Sequence, residues 1–189
     1  MTVQTAPVLV FGWGNLSRGD DALGPLLLER LRAVVPATAG VEFLDDYQLQ
    51  IEHALDLVGR QRVLLVDASL SCRAPFEVTR LGAAQDASFT AGPPQGETTP
   101  SGGSEAHAVA NVGASFTTHT LSPQALLQVF RDVQGSEPPP CTLLAIRGER
   151  FELGEPPSFA ALEHLAAALH WAQDWLAIGS IHQATPCMS

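Results

Sequence analysis

The chain opens with a run that is apolar at every position, Pro7-Val8-Leu9-Val10-Phe11, and then turns to Gly12-Trp13-Gly14-Asn15. A strand with one solvated face alternates; a run without alternation predicts a strand covered on both faces, and the glycines predict a tight turn after it. From Asp20 or Asp21 to about Val35 the period changes. Leu23, Leu26, Leu27, Leu31 and Val34 recur at helical spacing, behind aspartates that suit a helix start. Val41-Glu42-Phe43-Leu44 predicts a second strand ending at Asp45-Asp46, and Leu49 to Val58 is helical again in period. Val63-Leu64-Leu65-Val66 repeats the continuous apolar pattern and stops at Asp67, whereas Phe76 to Arg80 alternates, as an edge or half-exposed strand does.

Between residues 82 and 114 the pattern fails. Gly, Pro, Ser, Thr and Ala dominate without a period, which predicts a flexible insertion with too little apolar content to bury. Ser122-Pro123 then predicts a helix start ahead of Leu126, Leu127 and Phe130, Cys141 to Ile146 a last strand, and Ser158 to Ala177 a long amphipathic helix. This alternation predicts an α/β fold, one domain spanning residues 1–189. Its core is a doubly wound, mostly parallel sheet of about five strands in the order 2-1-3-4-5, with helices on both faces. In such sheets ligands bind beyond the carboxyl ends of the strands where the winding reverses, here strands one and three.

Composition narrows the function. At 189 residues and 46% hydrophobic the chain can bury one continuous core. Ten basic residues against twenty acidic ones give a formal charge of −10, a field that repels nucleic acid and anionic membranes. Every basic residue is arginine, so P-loop, Schiff-base and kinase lysines are excluded by inventory. Cys72, Cys141 and Cys187 are too scattered for a disulfide framework and lack zinc-site spacing, and neither a secretory signal nor a membrane span is legible. The expectation is a cytoplasmic monomer.

Candidate chemistry gathers at the strand ends. Asp20-Asp21 follow strand one, Asp67 ends strand three, and Thr117-Thr118-His119 precede a helix. Two carboxylates and an imidazole, with no thiolate, suit a divalent cation such as nickel or zinc with open coordination positions, although each residue taken alone also serves as a helix cap or turn former. A dinucleotide site fits poorly: Ser17 stands where the third glycine of the phosphate loop belongs, and Asp20 and Asp21 put negative charge where a pyrophosphate would sit. A Cys72–His119 thiol pair is a weaker alternative, and no G-x-S-x-G elbow occurs.

The stretch Phe11-Gly12-Trp13-Gly14-Asn15-Leu16-Ser17-Arg18-Gly19-Asp20-Asp21-Ala22-Leu23-Gly24-Pro25 resembles the G-x-G-N-x-x-x-x-D-(D/E)-x-x-G signature of the hydrogenase maturation proteases, endopeptidases that finish the large subunit of NiFe hydrogenases. The likeness continues through Leu65-Val66-Asp67-Ala68 and Thr118-His119. It implies that Asp21, Asp67 and His119 form the metal-binding and catalytic set. The metal is nickel carried by the substrate, with no resident cofactor, and the partner is a nickel-loaded large-subunit precursor whose C-terminal extension is cut. A non-enzymatic nickel-binding maturation chaperone is the competing reading. Where many members read D-G-G-T after strand two, this chain has Asp45-Asp46-Tyr47-Gln48-Leu49-Gln50, similar to the subgroup that serves cytoplasmic NAD-reducing hydrogenases. Asp45 is expected near the cleft without being a ligand, and Gly12, Gly14 and Asn15 as turn formers that aim Asp21.

Overall fold

A computed structural model describes the backbone of residues 5–81 and 121–181, with side chains up to residue 177. The described elements are β1 (Val8–Trp13), a 3-10 turn (Gly19–Ala22), α1 (Leu23–Val34), a shorter 3-10 turn (Ala37–Ala39), β2 (Val41–Asp46), a 3-10 helix (Ile51–Leu57), β3 (Arg62–Ser69), β4 (Phe76–Leu81), α2 (Pro123–Gln134), β5 (Cys141–Arg147) and α3 (Phe159–Ile181). They belong to one compact unit built from Met1–Ala83 and Thr120–Ser189. The insertion expected at residues 82–114 lies outside the described residues, and so does His119.

The sheet is doubly wound and mostly parallel, with five strands in the order β2-β1-β3-β5-β4. The β1, β2, β3 and β5 pairings are parallel; β4 runs antiparallel to β5. The expected order 2-1-3-4-5 is therefore corrected at its last two strands. The link between β3 and β4, residues 70–75, is too short for the helical crossover that a parallel pair requires. Burial then decides which strand takes the place beside β3. Residues 77–80 of β4 are all exposed, whereas Cys141, Leu144 and Ile146 of β5 are buried, so β5 occupies the interior and β4 the edge.

Successive residues of the central strands point to opposite faces, which yields two cores from one apolar run. Val8, Val10, Leu64 and Val66 pack with Leu27 of α1 and Leu165 of α3; Leu9, Phe11, Val63 and Leu65 pack with Leu57 and with Leu126 of α2. The segment 51–57, whose period suggested an α-helix, is 3-10 instead. Ser122 caps α2 by accepting a hydrogen bond from the Ala125 N–H at 3.1 Å, with Pro123 in the first turn. Among the described residues no helix is long and apolar enough to cross a membrane.

Candidate active site at the carboxyl edge of the sheet

Because β1 and β3 are parallel neighbours, their carboxyl ends open on the same edge. The turn after β1 brings Asp21 back to that edge. Gly14 has φ +141°, and a Cβ placed on it would lie 1.9 Å from the Asp21 carbonyl oxygen, so only glycine lets the chain pass so close. The Asn15 N–H then donates to Asp21 Oδ2 at 3.0 Å, while the Asn15 side chain accepts from the Ser17 N–H at 2.8 Å and closes a local turn. Gly24 lets α1 press against the strand ends: a Cβ there would sit 2.4 Å from the Trp13 carbonyl oxygen and 3.1 Å from that of Val66.

The two adjacent aspartates do different work. Asp20 is fully buried and accepts four hydrogen bonds: from the N–H groups of Glu149 (2.7 Å) and Arg150 (3.0 Å) and the Ser158 hydroxyl (2.9 Å) on Oδ2, and from the Ser158 N–H (2.6 Å) on Oδ1. Burial by itself would raise its pKa, but the hydrogen bonds outweigh burial and hold the carboxyl below its ordinary value. Ser158 in turn accepts from the Ala161 N–H at 3.2 Å, capping α3. Asp20 is thus a strut between the first loop and the start of the last helix. Asp21 is half-buried and takes part in none of these bonds; its Oδ2 accepts from the Asn15 N–H.

Asp67 ends the buried part of β3, retaining some exposure. Desolvation pushes its carboxyl up to about 7; the Asp21 charge adds to the rise, and hydrogen bonds from the Ala68 backbone and the Trp13 side chain oppose it. Asp21 and Asp67 therefore act on one another across this edge. Among the described residues no group of three or more His, Cys, Asp or Glu side chains is gathered tightly enough to hold a metal by itself.

Asp45 is exposed and ion-paired with Arg32 of α1, which also bonds the Phe43 carbonyl at 3.2 Å. Reasoning from sequence missed the residue beside it. Asp46 Oδ2 lies 3.1 Å from Nε2 of the buried His53, whose Nδ1 accepts from the Gln50 N–H at 2.9 Å and whose ring meets Phe11 edge-on at 4.6 Å between centroids. With Nδ1 accepting, Nε2 carries the proton and donates it to Asp46. Gln50 and His53 form a reciprocal capping box at the start of the 3-10 helix, so their spacing was the available signal. The polar loop that stands in place of D-G-G-T is therefore pinned by side chains. Cys72 is buried, its thiol donates toward the Ala145 carbonyl at 3.4 Å, and burial raises its pKa, all of which oppose a thiolate nucleophile.

The fold, a mostly parallel five-stranded sheet with an antiparallel edge strand, is shared with solved hydrogenase maturation endopeptidases. The chain is similar to the hydrogenase maturating endopeptidase HybD from E. coli, at 23% identity over 91% of this chain and 93% of that one, with a TM-score of 0.61. It is also similar to the NiFe hydrogenase maturation protease HycI from Thermococcus kodakarensis, at 20% identity over 91% and 93% with a TM-score of 0.58. A third likeness is to a hydrogenase 2 maturation peptidase from a Thaumarchaeota archaeon, at 20% identity over 89% and 97% with a TM-score of 0.55. No protein-family model and no curated protein matches the sequence.

Proposed function

We propose that the chain is an endopeptidase that removes the C-terminal extension of a nickel-loaded NiFe hydrogenase large-subunit precursor, with Asp21, Asp67 and His119 as the residues that engage the substrate's nickel. The observation that carries this reading is the electrostatic coupling of Asp67, near the end of β3, to Asp21, in the turn that follows β1, on a fold shared with solved maturation endopeptidases. His119 enters through the signature resemblance alone.

The chemistry of the pair supports a metal that arrives and departs. A carboxyl that holds its proton up to about 7 when the cleft is empty gives the proton up when a cation approaches, because the cation reverses the electrostatic reason for keeping it. Two carboxylates and an imidazole leave coordination positions for the ligands that the nickel already has in its own protein, unlike a closed thiolate cage. Nickel held by precursor and protease together fixes the adjacent peptide in the cleft, where positioning lowers the barrier to hydrolysis.

The deciding experiment compares cleavage of nickel-loaded and nickel-free precursor by the purified protein, with Asp21→Asn, Asp67→Asn and His119→Ala alongside. Cleavage confined to the loaded precursor and lost in each variant is expected. Equal cleavage of both precursors would refute nickel reading; binding of the loaded precursor without cleavage would favour the chaperone.

A further inference from the structure

At the end of the sheet opposite the cleft lies a cavity of about 330 Å³, within the usual range for a small-molecule pocket. Val8, Val34, Val35, Val41 and Leu176 supply apolar walls, and Arg62 lines it as well. These residues come from the first positions of β1, β2 and β3 and from the last turn of α1 and the late turns of α3.

Two arginines stand near this edge, and only one has a counter-ion among the described residues. Arg60 pairs with Glu42 at 2.7 Å. Arg62 donates to the carbonyls of Trp175 (2.7 Å) and Leu176 (2.9 Å), lies over the Trp175 ring at 4.2 Å, and forms no ion pair with a described carboxylate. Desolvation lowers its pKa, as partial burial of a guanidinium does. A guanidinium has more N–H donors than two carbonyls occupy, and a charge withdrawn from water is stabilised far better by an opposite charge than by dipoles.

We infer that this cavity binds a small apolar monocarboxylate, its carboxylate on the Arg62 guanidinium and its hydrocarbon chain among Val8, Val34, Val35, Val41 and Leu176. The guanidinium selects an anion over a neutral apolar molecule, and its planar fork matches a carboxylate. A single cation selects one negative charge, and the chain's formal charge of −10 disfavours polyanions. A cavity of about 330 Å³ has room for a medium-length chain, of roughly eight carbons. This site lies at the other end of the sheet from Asp21 and Asp67 and does not depend on the reading given for them.

The test is calorimetric titration of the purified full chain with octanoate and, separately, with 1-octanol, followed also by tryptophan emission because Trp175 lies against Arg62. Saturable binding of one octanoate is expected. Arg62→Gln lowers octanoate affinity by about tenfold or more while leaving octanol unchanged. Since Arg62 also anchors α3, a second variant guards against a folding defect: Ala177→Trp, at an exposed position on the cavity wall, retains the wild-type melting curve and blocks both ligands. Absence of saturable octanoate binding to the wild type, or unchanged octanoate affinity in folded Arg62→Gln, or in Ala177→Trp, overturns the assignment.

Discussion

Asp20→Asn separates the strut from its neighbour in the cleft. The substitution keeps the size of the side chain and one accepting oxygen, but turns the other oxygen into an amide nitrogen that cannot accept. Oδ2 serves three donors and Oδ1 one, so even with the amide in its better orientation the Ser158 N–H is left against an N–H group in a site with no exposed surface. Orphaning one buried donor costs about 1–3 kcal/mol, and the bonds that survive lose the charge assistance that roughly doubles them. A loss of about 3–4 kcal/mol is expected, a large share of the ~5–15 kcal/mol that holds a domain together. Equilibrium urea unfolding followed by tryptophan emission measures it as a midpoint lowered by about 1–2 M at pH 7. The acid limb provides a second reading. The folded carboxyl titrates below its ordinary 3.8, so its stabilisation is complete above that value and is lost as pH falls through the lower folded one. Asp20→Asn should lack that part of the acid dependence. A variant within about 0.5 kcal/mol of wild type at pH 7, or with an unchanged acid limb, would refute the strut.

Further substitutions probe the rest of the edge. Gly14→Ala forces a Cβ to within 1.9 Å of the Asp21 carbonyl oxygen at φ +141°; we expect about 2–4 kcal/mol of destabilisation and loss of precursor cleavage, measured together on one preparation. Asp67→Asn should stabilise the metal-free protein at pH 8 by up to about 4 kcal/mol and leave it unchanged near pH 4. The sign follows because a carboxyl raised from 3.8 to about 7 costs the native state increasing stability as pH climbs between those values; equal melting temperatures at pH 8 would contradict it. His53→Ala removes the Asp46 partner and the edge contact with Phe11, and thermal melting should fall by about 4–8 °C, with the Asn variant recovering part of the loss.

Much of this was legible in local pattern. The continuous apolar runs at Val8 and Val63 read as strands buried on both faces, and they are parallel neighbours whose carboxyl ends share one edge. The positions of β4 and β5 were not legible, because they follow from a competition in which an exposed, charged strand yields the inner place to a buried one. Nor could the division between Asp20 and Asp21 be read. Both suit a helix start, and the donors that claim Asp20 lie 129 to 138 residues further along the chain. The cavity beside Arg62 was hidden for the same reason, being lined from α1, β1, β2, β3 and α3 at once.

That separation also bears on the order in which the molecule assembles. The strands and α1 can associate through apolar surface alone, but a carboxylate stripped of water at Asp20 has no compensation until Ser158 and the backbone of residues 149–150 arrive. The first loop is therefore expected to keep its water until the start of α3 docks, a contact made across a long chain segment only after the apolar core has gathered. The edge that carries Asp21 would then be completed late, in the same event that seats the last helix. Mutations at Asp20 should leave the folding rate nearly untouched and express themselves as faster unfolding.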